Sequence, residues 1–219
     1  MYRPGTSDER VLQEVTIGAI YRRSKPFHFD VEPGEHWLDL GANIGAFALY
    51  CKLRGATAEC YEPDPECFEI LRANVPDFEC YNAVVTVSRE PSMPFWKGKS
   101  ETDFYRGTCY PTKGLPRHPN GEVINYSGEF LKAKTYDGVK MDIEGSEGPL
   151  LDAGYFPTCK KFCMEYHLSR DPSMENLRRR LDFLKSRFRL VHYPPEFERL
   201  MAQGGNAKTF FDRMVYCIV

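Results

Sequence analysis

His36-Trp37-Leu38-Asp39-Leu40-Gly41-Ala42-Asn43-Ile44-Gly45, continued by Ala46-Phe47-Ala48-Leu49-Tyr50, is the stretch on which the fold turns. A short apolar run ends at an acidic residue, two glycines follow at G-x-x-x-G spacing, and an amphipathic run starts at once. That order reads as a buried strand, a tight turn and the start of a helix. Gly41 and Gly45 suit such a turn because a residue without Cβ lets backbone pass close to a ligand. The turn amides and the positive end of the helix are expected to face that ligand.

Two cofactor classes use a turn of this kind. A dinucleotide site wants G-x-G-x-x-G, with a pyrophosphate on the helix N-terminus. Here the spacing differs and an aspartate precedes it. An anionic Asp39 would repel a pyrophosphate and suit the cationic end of S-adenosylmethionine. Glu62 strengthens the second reading. It ends the next apolar run, Ala58 to Tyr61, about 20 residues on, where a carboxylate accepts from both ribose hydroxyls of a nucleoside cofactor.

Outward from the turn, strands and helices alternate. Residues 7–22 read as a helix capped by Ser7, and residues 46–54 as the helix after the turn, closed by Gly55. Asp64-Pro65 starts another helix that runs to about Asn74, and residues 78–87 form a third strand region containing Asn82. This βαβαβ order predicts a parallel sheet covered on both faces. From residue 88 to 136 the pattern loosens into a Pro/Gly-rich segment with Trp96, Tyr105 and Tyr110, in which 93–96 and 123–126 read as short strands. A long irregular segment rich in aromatics is expected to be a partly ordered, substrate-facing insertion. Strands return at 136–142 and 161–165, with a short helix between them. A long amphipathic helix over 173–188 and two last strands, expected as an antiparallel hairpin, complete a sheet of about seven. In that helix Arg178, Arg179 and Arg180 read as a solvated face.

The 219 residues suit a single domain spanning 1–219, with residues 1–30 as a helical lead-in. A net charge of -2 and a mean hydropathy of -0.48 argue against a global nucleic-acid or membrane-surface role. No run is long and apolar enough to span a bilayer. The eight cysteines include no Cys-x-x-Cys and sit mostly in apolar stretches. Buried, reduced thiols and a cytoplasmic setting are expected.

Four stretches taken together, Asp39 to Gly45, Glu62-Pro63-Asp64-Pro65, Val139-Lys140-Met141-Asp142-Ile143-Glu144-Gly145-Ser146-Glu147 and Glu165-Tyr166-His167, resemble the FkbM family of S-adenosylmethionine-dependent methyltransferases. The resemblance runs from about Phe29 to His167, and its most specific element is Lys140-x-Asp142-x-Glu144-Gly145-x-Glu147. It implies a class I methyltransferase (Rossmann-like) α/β fold and O-methylation, commonly of sugar or natural-product hydroxyls. Residues 88–136 match no motif of that family.

The expected cofactor-facing set is Asp39, Gly41, Ala42, Asn43, Gly45, Glu62, Pro63, Asn82 and Asp142. Asp142 closes the strand beside the first in a 3-2-1-4-5 sheet, next to the transferred methyl. Lys140, Asp142 and Glu144 alternate and cannot all be core side chains of an ordinary strand. Catalytic roles are expected for Lys140, Asp142, Glu165 and His167, with His167 as the general base that deprotonates an alcohol. Glu144, Trp96, Tyr105 and Tyr110 are expected on the substrate side. Asp142, Glu165 and His167 also have the ligand types for Mg²⁺, Mn²⁺ or Ca²⁺. The acceptor expected is a sugar or glycan hydroxyl. The alternatives are a nucleic-acid 2′-hydroxyl, a non-catalytic binding module of the same fold, or an NAD-dependent enzyme.

Overall fold

Strand β1, His36–Leu40, is buried on both faces from Trp37 onward, as a central strand of a parallel sheet must be. The computed structural model describes residues 1–97, 107–109, 119–205 and 212–219. Along the chain come α1 (Ser7–Thr16), β1, α2 (Ala46–Leu53), β2 (Thr57–Tyr61), α3 (Pro65–Asn74), β3 (Glu79–Tyr81), β4 (Ala83–Thr86), β5 (Ser92–Phe95) and β6 (Gly121–Ser127). Then follow β7 (Thr135–Met141), α4 (Glu147–Asp152), β8 (Thr158–His167), α5 (Met174–Arg187), β9 (Leu190–His192), α6 (Pro195–Gln203) and β10 (Asp212–Ile218).

Seven strands pair in the order β3-β2-β1-β7-β8-β10-β9. The β3-β2-β1-β7-β8 run is parallel, and β10 lies antiparallel to both β8 and β9. This is the class I methyltransferase, Rossmann-like α/β arrangement, in which the strand order, not the strand direction, reverses between β1 and β7 and opens a crevice at the strand C-termini.

The alternation of strand side chains divides the core in two. On one face Leu38, Leu40, Val139, Met141 and Phe162 pack with Leu177, Leu181 and Leu184 of α5. On the other, Trp37 and Cys163 pack with Phe29, Phe47 of α2 and Tyr216. The second face turns polar toward the strand ends: Asp39 stands beside Lys140 in the β1–β7 register, and Glu165 and His167 follow Cys163 at alternate positions of β8.

Local chemistry accounts for the helix starts. Asp64 caps α3 through Glu66 N, with Pro65 in the first turn, and Ser173 caps α5 through Asn176 N. Helix α1 is shorter than the expected 7–22 and its cap is Thr6, not Ser7. Ala19, at φ 54°, turns the chain so that Tyr21 enters the core. The expected third strand divides at Asn82: β3 stays in the main sheet, whereas β4 joins β5 and β6 in a three-stranded sheet of order β4-β6-β5. Within the 88–136 insertion, β5 and β6 are therefore strands of this second sheet. The last two strands pair antiparallel as expected, with helix α6, which the sequence reading missed, in their connection; Phe197 and Met201, four apart, are its buried face. All eight cysteines are free thiols. Among the described residues, no helix is long and apolar enough to cross a membrane.

Candidate active site

A cavity of about 380 Å³ opens over the C-terminal ends of β1, β2, β7 and β8, with β4 along one wall and α1 and Tyr21 closing one side. The volume is typical of small-molecule sites. Carboxylates dominate its polar lining, from Glu62 and Asp64 at one end to Asp142, Glu144 and Glu165 at the other.

The glycine turn is built differently from a phosphate cradle. Gly41 N and Ala42 N donate to the carbonyl of Tyr61 at 3.0 and 2.9 Å, and Gly45 N donates to Ala42 O at 2.9 Å. Asn43 N donates to Glu62 Oε2 and Ile44 N to Asn43 Oδ1, both at 2.7 Å. Every amide from Gly41 to Gly45 is thus committed inside the protein, against the expectation that they face a ligand. The glycines serve protein packing instead. A Cβ on Gly41, at φ +78°, would lie 1.8 Å from the carbonyl oxygen of Asp142, and one on Gly45, at φ +81°, 2.7 Å from Leu71 Cδ1.

Glu62 spans the turn and the next loop, accepting from Asn43 N at one oxygen and from Asp64 N at the other, 2.7 Å each. Burial pushes its carboxyl up to about 7, and these two amides oppose the rise. Gly41, Ala42, Asn43 and Pro63 line the cavity with it. Asn82 does not: its amide donates to the carbonyls of Glu62 and Pro63 at 2.8 and 3.1 Å, so it shapes the loop from behind, while Ala83, Val84 and Val85 take the cavity wall.

Asp39 is also absent from the wall. It is 0% exposed, and Lys140 Nζ lies 3.1 Å from its Oδ1, so its charge is met inside the protein rather than by a ligand. Lys140 donates to Gly41 O at 2.5 Å. Burial disfavours charge on this lysine, but Asp39 and Asp142 reverse that and raise its pKa. The expected catalytic lysine is therefore a protonated brace under the turn.

At the other end, three side chains converge. His167 Nε2 lies 3.6 Å from Glu144 Oε2 and 3.9 Å from Asp142 Oδ1. Its Nδ1 is 3.0 Å from Glu147 Oε1. Glu147 also accepts Ile143 N at 2.8 Å and Gly145 N at 2.9 Å, which anchors it to the turn carrying Glu144. Burial lowers the proton affinity of the His167 ring, yet Glu147, Glu144 and Asp142 together lift its pKa well above the ordinary value. These three carboxylates favour the protonated ring, whereas a general base needs the neutral one. Burial raises the Glu144 carboxyl. Glu144 also sits at φ 51°, a left-handed conformation that is uncommon for a non-glycine residue.

Glu165 reaches the cavity wall but does not belong to the Asp142–Glu144–His167 cluster. Tyr21, whose core-packing role is the ordinary expectation, donates to Asp142 Oδ2 at 2.8 Å and lies under Lys140 Nζ. It is a site residue that spacing did not reveal, because it arrives from a loop 121 residues upstream of Asp142. Trp96 is buried away from the cavity, and its neighbour Phe95 lines it together with Gly107, Thr108 and Cys109. Thr108 Oγ1 donates to Glu144 O at 2.9 Å, tying the insertion to the turn that carries Glu144. Tyr105 and Tyr110 lie outside the described residues. Arg180, read as solvated, is 4% exposed and bound to Asp152, Asp171 and Tyr166.

No family model and no curated protein matches the chain. Solved structures with a similar chain path include a SAM-dependent methyltransferase from Archaeoglobus fulgidus, 13% identical, covering 96% of this chain and 94% of that one, with a TM-score of 0.48. The precorrin-6y C5,15-methyltransferase of Geobacter metallireducens is 11% identical over 99% of this chain and 92% of its own, with a TM-score of 0.44. Fibrillarin of Aeropyrum pernix, solved with natively bound S-adenosyl-L-methionine, is 15% identical over 87% and 69%, also with a TM-score of 0.44.

Proposed function

We propose that this chain is an S-adenosylmethionine-dependent O-methyltransferase of the FkbM kind, acting on a hydroxyl of a sugar or glycoconjugate. The observation that carries the reading is the pairing of an acidic cavity with a turn whose amides are all committed. A pyrophosphate would find no free donors between Gly41 and Gly45 and would meet carboxylates at both ends. A nucleoside with a cationic side arm meets the opposite situation.

Glu62 suits the ribose, since each of its oxygens keeps a lone pair beyond the amide it accepts. Pro63 and the apolar wall of Ala83, Val84 and Val85 suit the base. When bound, S-adenosylmethionine supplies a methyl group already activated on its sulfonium. The protein then has to hold a hydroxyl in line and receive its proton. Asp142 and Glu144 are the acceptors at the cavity, and Tyr21 orients Asp142 through Oδ2. The bond balance is simple: the acceptor oxygen gains the methyl carbon, the carbon–sulfur bond breaks, and the hydroxyl proton passes to a carboxylate. A hydroxyl-rich acceptor suits a wall of hydrogen-bond acceptors. A phosphate backbone does not, which disfavours the 2′-hydroxyl of a nucleic acid.

Calorimetric titration with S-adenosylmethionine, then mass spectrometry of a glycan panel for one added methyl, tests the reading. Binding of the cofactor, with methyl transfer lost in Asp142→Ala, is the expected result. Binding of NADH but not of S-adenosylmethionine would overturn it. Cofactor binding with steeply salt-dependent transfer to RNA would move the acceptor to a nucleic acid.

A further inference from the structure

We infer that Asp142, Glu144 and His167 form a divalent-cation site at the acceptor end of the cavity. One ligand atom from each residue falls within a group spanning no more than 4.8 Å. Two ligands at right angles to tetrahedral angles on one ion, each about 2.1 Å from it, stand about 3.0–3.5 Å apart. The 3.6 Å from Nε2 to Glu144 Oε2 and the 3.9 Å to Asp142 Oδ1 need only a small contraction to reach that spacing.

The independent observation is the histidine. Its side chain is 3% exposed, yet Nε2 lies too far from either carboxylate for a hydrogen bond and is aimed between them. The other ring nitrogen is held by Glu147 at 3.0 Å, and Glu147 is itself fixed by two backbone amides. A carboxylate on Nδ1 that leaves Nε2 as the ligating atom is the usual outer support of a metal-bound histidine. Tyr21 does the corresponding work for Asp142, leaving Oδ1 for the ion. Arg170 Nη2, 3.3 Å from Glu144 Oε2, offsets part of the remaining negative charge. Glu165 stands outside the group, so the ligand set differs from the one the strand ends suggest by exchanging Glu165 for Glu144.

Two carboxylates and one imidazole suit a cation that accepts both oxygen and nitrogen donors, and Mn²⁺ is the natural probe. Three protein ligands leave coordination positions open toward the cavity. The role of holding two neighbouring acceptor oxygens there, and lowering the pKa of one, rests on the methyl-transfer reading above. Binding of the ion itself does not.

The test uses the full chain after chelator treatment. Mn²⁺ is titrated by calorimetry and by loss of the free-ion electron paramagnetic resonance signal, and S-adenosylhomocysteine binding is measured in parallel. One Mn²⁺ per chain is expected, weakened at least tenfold in Glu144→Gln and in His167→Gln, and unchanged in Glu175→Gln. Circular dichroism selects the folded variants, and Asp142→Asn replaces His167→Gln if the latter does not fold. Absence of saturable Mn²⁺ binding, or equal binding in Glu144→Gln, would overturn the site. Cofactor binding without Mn²⁺ binding rejects the cation and leaves methyl transfer standing. Mn²⁺ binding without cofactor binding does the reverse.

Discussion

Lys140 Nζ lies 3.1 Å from Asp39 Oδ1, with the two side chains 4% and 0% exposed, and ties this pair to the glycine turn through Gly41 O. Neither Asp39 oxygen has a well-formed hydrogen bond, so the ion pair is the carboxylate's main compensation for burial. Lys140→Met should therefore destabilise the fold by about 3–5 kcal/mol, because it leaves a buried charge alone. Asp39→Leu combined with Lys140→Met should cost much less than the sum of the single changes. Chemical denaturation of the four proteins measures the coupling; additive effects would show that the pair is not a unit.

Glu62 gives the cofactor end a pH dependence. Its carboxyl titrates at about 7 in the folded chain, against an ordinary value of 4.5. The folded state binds this proton more tightly than the unfolded state, so the group's contribution to stability falls as pH rises from 4.5 toward 7. Cofactor binding should change in the opposite sense, since an ionised carboxylate is the better acceptor for ribose hydroxyls. A group titrating near 7 goes from about one-tenth to about nine-tenths ionised between about pH 6 and 8, so S-adenosylhomocysteine affinity should rise nearly tenfold over that range. Glu62→Gln should weaken binding and flatten the profile. A profile that stays steep in the variant assigns the effect elsewhere.

Gly41→Ala is expected to damage the site from below. The new methyl would meet the Asp142 carbonyl at 1.8 Å, in a backbone conformation that alanine resists. A loss of more than about 2 kcal/mol is expected in thermal or denaturant unfolding. Weaker S-adenosylhomocysteine binding should accompany it, because the clash lies between the two strand ends that frame the cavity.

Arg180 joins α5 to α4 and to the segment after β8. It donates to Asp152 at 2.7 Å, Asp171 at 2.6 Å and the Tyr166 hydroxyl at 2.7 Å. Arg180→Met should destabilise by about 2–4 kcal/mol, less than for a fully buried pair, because both aspartates remain 29% exposed. Arg180→Lys should recover only part, since an ammonium cannot reproduce the fork that reaches three partners. Equal stability of the wild type and the lysine variant would refute this account.

The periodic elements were readable because their causes are local. The apolar run ending at Asp39, the Asp64-Pro65 start of α3 and the Ser173 start of α5 all carry their own hydrogen-bond or packing logic within a few residues. The βαβ alternation then left few sheet orders open, and β3-β2-β1-β7-β8 is among them. Where neighbouring elements compete, local reasoning failed. The third strand divides at Asn82 because β4 pairs with β6, about 40 residues on, instead of with the main sheet. Arg180 stands in a run of three arginines, and only the packing of α4 against α5 turns one of them inward.

The same division holds at the site. The chain's own order of residues determined that carboxylates end β2 and β7, that glycines sit after β1, and that a histidine follows on β8, since each is a matter of strand position and period. Tertiary structure alone decided their work, because contact between residues far apart in the chain depends on sheet order and on what covers each face. It kept Asp39 off the cavity wall by pairing it with Lys140 and brought Tyr21 onto Asp142. It exchanged Glu165 for Glu144 beside His167 and committed the turn's amides to Tyr61, Glu62, Ala42 and Asn43.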